Sequence, residues 1–146
     1  MSLIYKTDII RSKAFKIATV KNTETTSPAS VMIVEDEVDL CYLLVKILKQ
    51  SNLKADCVYS ISEAKQTIKK LNPSIIFIDN FLPDGYGSDF IQNIKEGHPK
   101  SKIVMITAHD SPADIEKAFK RGADYFITKP FNTKTVKNTL KIMGYS

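Results

Sequence analysis

The fold is decided by one stretch of sequence, residues 74–79, which read SIIFID. Four consecutive large apolar residues are typical of a strand that is buried on both faces of a parallel sheet, and this run ends at Asp79. Residues 31–36 read VMIVED and repeat the pattern, an apolar run that ends in carboxylates. The two runs predict buried parallel strands with acidic side chains at their carboxyl ends.

Outward from these strands, short apolar runs alternate with helical patterns. This βα alternation predicts an α/β fold, a doubly wound five-stranded parallel sheet with right-handed crossovers and helices on both faces. In the fourth helix, Ile115 and Phe119 are expected to point inward. The predicted strands are 31–34, 55–59, 74–78, 103–106 and 125–128, and the predicted helices are 38–50, 60–71, 88–96, 112–121 and 132–143.

Residues 1–30 are predicted to be a leader and linker, and residues 31–146 the single domain that the length allows. The leader carries five basic and two acidic residues, and most of the net charge of +5 lies there. The body has no basic stripe interleaved with aromatic residues, so we expect no direct contact with nucleic acid. The sequence leaves open whether the leader is an upstream remnant, a docking arm or an added segment.

The composition excludes other classes. The 43% of hydrophobic residues argues against disorder throughout, and no apolar run approaches the roughly 20 residues that span a bilayer. The N-terminus lacks the apolar segment of a secretory signal, which makes the cytoplasm the expected location. Cys41 and Cys57 lie in apolar runs without a CxxC pattern, so core packing is favoured over redox or metal chemistry.

Chemically active side chains follow four of the five predicted strands. Glu35 and Asp36 follow the first strand, Asp79 the third, Thr107 the fourth and Lys129 the fifth. The carboxyl ends of parallel strands meet at one edge of the sheet, where ligands bind in open α/β folds. One such residue alone is more often a cap or turn residue, but the whole set predicts a site.

The set favours phosphoryl transfer. Three clustered carboxylates repel one another unless a cation neutralises them, and oxygen ligands suit Mg²⁺. Asp79, as the central carboxylate, can attack phosphorus and form an aspartyl phosphate. Lys129 can supply positive charge around the phosphoryl oxygens, and Thr107 can donate a hydrogen bond to one of them.

Four motifs follow or flank the predicted strands: VEDE at 34–37, IDNFLPDG at 78–85, ITA at 106–108 and GADYFITKPF at 122–131. Taken together, they resemble the receiver domain of two-component response regulators. The resemblance covers about residues 31–143 and implies a flavodoxin-like (βα)5 domain.

The resemblance implies a phosphoacceptor that takes its phosphoryl group from a histidine kinase or a phosphotransfer protein, without separate substrate turnover. The implied output is a face made of the fourth helix, fifth strand and fifth helix. This face would bind a downstream protein or an output domain, which the sequence does not show after Lys141. A homodimer formed on phosphorylation is a further expected partner state.

Roles are carried over residue by residue. Asp79 matches the phosphoacceptor, and Glu35 and Asp36 match the acidic pair that positions Mg²⁺, with Asp36 favoured as the direct ligand. The backbone carbonyl of Phe81 matches a further metal ligand. Thr107 and Lys129 match the hydroxyl and the lysine that assist transfer, and Thr107 and Phe126 match the switch pair.

The sequence departs from the family at the switch aromatic, because Phe126 lacks the phenol of a tyrosine. Tyr125 is adjacent, but strand alternation points it to the opposite face. Phe81 and His109 are expected to modulate the access of water to the acyl phosphate, with Phe81 shielding it. For His109, a role as an ordinary loop residue is equally favoured.

Three alternatives compete with the receiver interpretation. A metal-dependent phosphatase with an aspartyl-phosphate nucleophile needs a general acid two residues beyond it, and Phe81 cannot donate a proton. A nucleotide binder needs a glycine-rich phosphate cradle, and neither GxGxxG nor GxxxxGK[ST] occurs. A receiver-like interaction module that works without phosphorylation stays open, because only a labelling assay distinguishes it.

Overall fold

The computed structural model describes residues 29–145, so all but the last two residues of the predicted leader lie outside it. Five parallel strands form one sheet in the order β2-β1-β3-β4-β5. They are β1 (Ser30–Val34), β2 (Lys54–Val58), β3 (Ile75–Asp79), β4 (Lys102–Thr107) and β5 (Tyr125–Thr128). The predicted doubly wound parallel sheet is confirmed, with strand ends within two residues of those expected.

Five helices cover both faces of this sheet. Because side chains alternate along a strand, Val31 and Ile33 pack towards α1 and α5, whereas Met32 and Val34 pack towards the other three helices. Each face therefore has its own apolar core. The helices are α1 (Val38–Gln50), α2 (Ile61–Leu71), α3 (Gly87–Gly97), α4 (Pro112–Lys120) and α5 (Thr133–Ile142).

The topology places the ends of β1 and β3 side by side. From β1 the chain passes to β2, which lies on one side of β1, and then to β3, which lies on the other side of β1. The strand order therefore reverses between β1 and β3. Val34 is level with Ile78, which brings the residues that follow them to the same edge. Such a reversal opens a crevice beyond the carboxyl ends of the strands.

Two features differ from the sequence-based expectations. Phe119 was expected to point inward, but its side chain is 46% exposed, and the smaller Ala118 is the buried residue of α4. Residues Phe81–Leu82 and Gly85–Tyr86 form a short antiparallel hairpin that the turn-rich sequence did not predict. Tyr125 and Phe126 pack on opposite faces of the sheet, as the alternation predicted.

The two cysteines are packing residues. Cys41 is fully buried in the core beneath α1, and the partly buried Cys57 packs against the same cluster. Burial raises the pKa of both thiols, which keeps them protonated. Within residues 29–145, none of the helices has the length and apolar character needed to cross a membrane.

Gly87 at the start of α3 sets how closely that helix approaches the site. A Cβ atom at this position would lie 2.1 Å from the backbone oxygen of Asp79. We expect Gly87→Ala to lower the free energy of unfolding by about 2 kcal/mol, since backbone atoms must shift. Urea denaturation provides the measurement.

Gly97, at the other end of α3, is the matched control. A Cβ atom there meets no heavy atom within 4 Å. Gly97→Ala is therefore expected to leave stability unchanged or to raise it by about 0.5 kcal/mol. Equal stabilities of the two variants would contradict the close-approach explanation for Gly87.

Candidate functional site

The centre of the site is one ammonium group held between two buried carboxylates. Lys129 Nζ donates to Glu35 Oε1 at 2.5 Å and to Asp79 Oδ2 at 2.9 Å, and Glu37 Oε1 lies farther away at 3.7 Å. Glu35 is 3% exposed and Asp79 7%. Charges buried this deeply require a partner, and Lys129 serves both carboxylates.

Each of these side chains comes from the carboxyl end of a strand. Glu35 follows β1, Asp79 ends β3 and Lys129 follows β5. The backbone N–H of Lys129 donates to the backbone oxygen of Thr107 at 2.9 Å, which continues the β4–β5 pairing beyond Thr128 and fixes the lysine above the sheet edge. The sheet thus brings together three residues that lie far apart in the sequence.

Asp36 completes a group of three carboxylates. One oxygen each from Glu35, Asp36 and Asp79 lies within 4.8 Å of the other two. Asp36 is exposed and forms no ion pair in the described part of the chain, so its carboxylate is open to solvent. Hard oxygen donors in this number fit Mg²⁺, which binds through few protein carboxylates and keeps several waters.

The pKa directions reflect burial and pairing. Burial raises the pKa of Glu35, the hydrogen bond from Lys129 opposes this rise, and the neighbouring Asp79 adds to it. Burial alone would lower the pKa of Lys129, but its hydrogen bonds to Glu35 and Asp79 outweigh burial and raise it. Lys129 therefore stays charged, while the pKa of Glu35 is raised to about 8.

Thr107 and Phe126 lie to one side of this cluster. Both line a cavity of about 210 Å³, with Met105 and Ala118 as further apolar walls. Thr107 is buried, and its Oγ1 accepts a hydrogen bond from the backbone N–H of His109 at 3.3 Å. None of the hydrogen bonds among residues 29–145 joins Thr107 to Asp79 in this conformation.

An aromatic row lies over the same edge. The rings of Phe81 and His109 are tilted against each other with centroids 4.1 Å apart, and Tyr86 meets Phe81 edge-on at 5.5 Å. Phe81 is 43% exposed, and His109 is also exposed. The structure thus joins the two predicted modulating residues in one contact.

The loop after Asp79 is held by residues that the sequence analysis did not assign. The carbonyl of Asn80 accepts the Gly87 N–H at 2.8 Å, and its side-chain oxygen accepts the Ser88 N–H at 3.0 Å. Asp84, at the tip of the hairpin, accepts two N–H groups from the start of α2. The sequence shows an Asn and an Asp in a turn, which predicts that their side chains accept backbone N–H groups. It does not identify which N–H groups these are.

The chain is similar to a known protein family over most of its length. Residues 31–141 match the family described as the response regulator receiver domain. The chain belongs to this family. The beryllofluoride-activated NtrC4 receiver domain dimer is similar at 36% identity with a TM-score of 0.74, covering 77% of this chain and 93% of that one.

Two curated relatives are longer proteins. The transcriptional regulatory protein CitB of Klebsiella pneumoniae is 32% identical over 115 residues, which are 77% of this chain and 49% of CitB. The response regulator protein PilR of Pseudomonas aeruginosa is 35% identical over 104 residues, 71% of this chain and 23% of PilR. The chain thus spans half or less of the length of these relatives and is a receiver domain of two-component systems.

Removing the central ammonium group tests the charge balance of this receiver domain. In Lys129→Met two buried carboxylates lose their partner, so we expect the free energy of unfolding without divalent cations to fall by about 3 kcal/mol. Added Mg²⁺ should restore part of the loss, because a cation that binds only the folded state stabilises it. Urea denaturation with and without Mg²⁺ gives both values.

Lys95→Met supplies the control. Lys95 pairs with Asp124 at 2.8 Å, in a partly exposed ion pair outside the carboxylate cluster. This variant is expected to lose stability to the same extent with and without Mg²⁺. If Lys129→Met behaves in the same way, Lys129 does not balance the carboxylate cluster.

Proposed function

We propose that this receiver domain accepts a phosphoryl group on Asp79 from a phosphohistidine of a histidine kinase or a phosphotransfer protein. The observation that carries the proposal is the position of Lys129 Nζ, 2.9 Å from the Asp79 carboxylate at the edge where β1 and β3 end. An ordinary structural aspartate would not need a shared lysine, a second buried acid and an exposed third carboxylate.

The step is a displacement at phosphorus. A carboxylate oxygen of Asp79 forms the new P–O bond while the P–N bond of the phosphohistidine breaks, and the electron pair leaves with the imidazole nitrogen. Positive charge beside the phosphoryl oxygens lowers the barrier of such a loose transition state. Lys129 Nζ, 2.9 Å from Asp79 Oδ2, would supply this charge with little rearrangement.

Glu35, Asp36 and Asp79 would hold Mg²⁺, with the backbone carbonyl of Phe81 as a fourth protein ligand. Bound there, Mg²⁺ supplies charge neutralisation for the phosphoryl oxygens. Asp36 fits the role of direct ligand best, because Glu35 is already engaged by Lys129 whereas Asp36 faces solvent. The domain would modify itself and would not turn over a separate substrate.

The output would pass through the α4-β5-α5 face. A phosphoryl group on Asp79 offers new acceptor oxygens, towards which the Thr107 hydroxyl can turn from its present contact with His109. That movement would enlarge the cavity next to Phe126, whose ring could then rotate inward. A downstream protein, an output domain or a second copy of the domain could read the change if it favours one packing.

The phosphatase alternative gains no support from the site. The residue two beyond Asp79 is Phe81, whose ring contacts His109 and Tyr86 and offers no acid to the leaving group. A module that works without phosphorylation would not accept a phosphoryl group on Asp79. Labelling separates these readings.

Asp79→Asn is expected to abolish labelling by acetyl phosphate in the presence of Mg²⁺, because the amide cannot act as the nucleophile. Intact-protein mass spectrometry detects the added phosphoryl group. Asp110→Asn is the control, since Asp110 is an exposed carboxylate close to the same edge and should label like the unchanged domain. Undiminished labelling of Asp79→Asn would remove Asp79 from its role.

Phe81→Asn is expected to shorten the lifetime of the phosphorylated state several-fold. The exposed ring of Phe81, backed by His109, would otherwise exclude water from the acyl phosphate. Loss of the phosphoryl group after removal of the donor measures this lifetime. Phe81→Leu keeps an apolar side chain and should change it less, whereas equal lifetimes in all three proteins would exclude shielding.

A further inference from the structure

Asp84 joins the loop after Asp79 to a helix that is distant in the sequence. Its Oδ1 accepts the backbone N–H of Ile61, and its Oδ2 accepts that of Ser62, each at 2.9 Å. These are the first two residues of α2, 23 and 22 positions earlier in the chain. The two hydrogen bonds lower the pKa of Asp84, which stays ionised at neutral pH.

The remaining capping of α2 is local. The Ser60 side chain accepts the Glu63 N–H at 3.1 Å, and Glu63 Oε2 accepts the Tyr59 N–H at 3.0 Å. The carboxylate of Asp84 thus links this helix end by two hydrogen bonds to the loop that follows Asp79. Its negative charge also suits the positive end of the helix dipole.

The hairpin that carries Phe81 is consequently fixed at both ends. Asn80 holds its base against Gly87 and Ser88, and Asp84 holds its tip against α2. Phe81 lies between the two anchors. The position of its backbone carbonyl depends on both of them.

We propose that Asp84 is a positioning residue for metal binding, which acts by clamping the Phe81 hairpin to the start of α2. The inference rests on the proposed function, because it concerns the metal that would assist phosphorylation of Asp79. Asp84 itself is not offered as a ligand. It would act as outer residues at metal sites do, by holding a ligand in place so that less order is lost on binding.

Asp84→Ala is expected to weaken Mg²⁺ binding by about tenfold, as is usual when an outer residue of a metal site is removed. Isothermal titration calorimetry on the unphosphorylated protein measures this directly. Asp84→Asn keeps one acceptor oxygen and should fall between Asp84→Ala and the unchanged domain. In metal-free protein, hydrogen exchange of the Ile61 and Ser62 amides should speed up in Asp84→Ala, which shows that the clamp is lost.

Ser60→Ala is the matched control, because it removes another cap of the same helix without touching the hairpin. It should destabilise α2 while leaving the Mg²⁺ affinity unchanged. The proposal is overturned if Asp84→Ala binds Mg²⁺ as tightly as the unchanged domain, or if Ser60→Ala weakens binding equally.

The same series separates this inference from the proposed function. If the unchanged domain binds Mg²⁺ but is never labelled at Asp79, the phosphoacceptor role fails while the clamp is still measured by calorimetry. If labelling occurs and the affinities of Asp84→Ala and the unchanged domain agree, only the clamp fails. Absence of Mg²⁺ binding in the unchanged domain would overturn the clamp proposal, whatever the labelling result.

Discussion

One ammonium group between two buried carboxylates determines how the other side chains at this edge of the sheet are arranged. Glu35 and Asp79 are both buried, and each accepts a hydrogen bond from Lys129, which follows β5. Carboxylates buried this deeply need such a partner. Two strand spacings separate β5 from β3, about 10 Å. The lysine side chain must therefore pass over the end of β4, whose last residue is the small Thr107.

The same arrangement explains why a change at Asp79 would be felt at Thr107. An acyl phosphate carries more negative charge and more acceptor oxygens than a carboxylate. Lys129 is already shared between two acids, so the next available donor along the edge is the Thr107 hydroxyl on β4. Its present role as an acceptor for the His109 N–H leaves its proton free to be redirected. If Asp79 is phosphorylated as proposed, the charge balance would link that chemistry to a neighbouring strand.

The sequence predicted the sheet and the gathering of carboxylates and Lys129 at one edge because both follow from short-range patterns. Apolar runs predict the strands, and the chemically active residues that follow these strands lie at one edge of the sheet whatever their side-chain rotamers. Phe119 was misplaced because helical spacing alone does not show that Ala118 would fill the space against the sheet. The Asp84 clamp was missed because its two partners lie more than 20 residues away, and an aspartate in a turn predicts a capping bond without its target.

The packing around the site also differs between its two sides, which determines where a change at Asp79 would be accommodated. On one side the loop is anchored by Asn80 and Asp84, and α3 approaches closely at Gly87 and buries five of its residues. On the other side α4 buries Ala118 and leaves Phe119 exposed, next to the cavity that Phe126 lines. Elements with few buried apolar contacts open at the lowest free energy. On the side of α4 and β5 the structure has both empty volume and weakly packed side chains. A disturbance at Asp79 would therefore be relieved through α4 and β5 and not through α3.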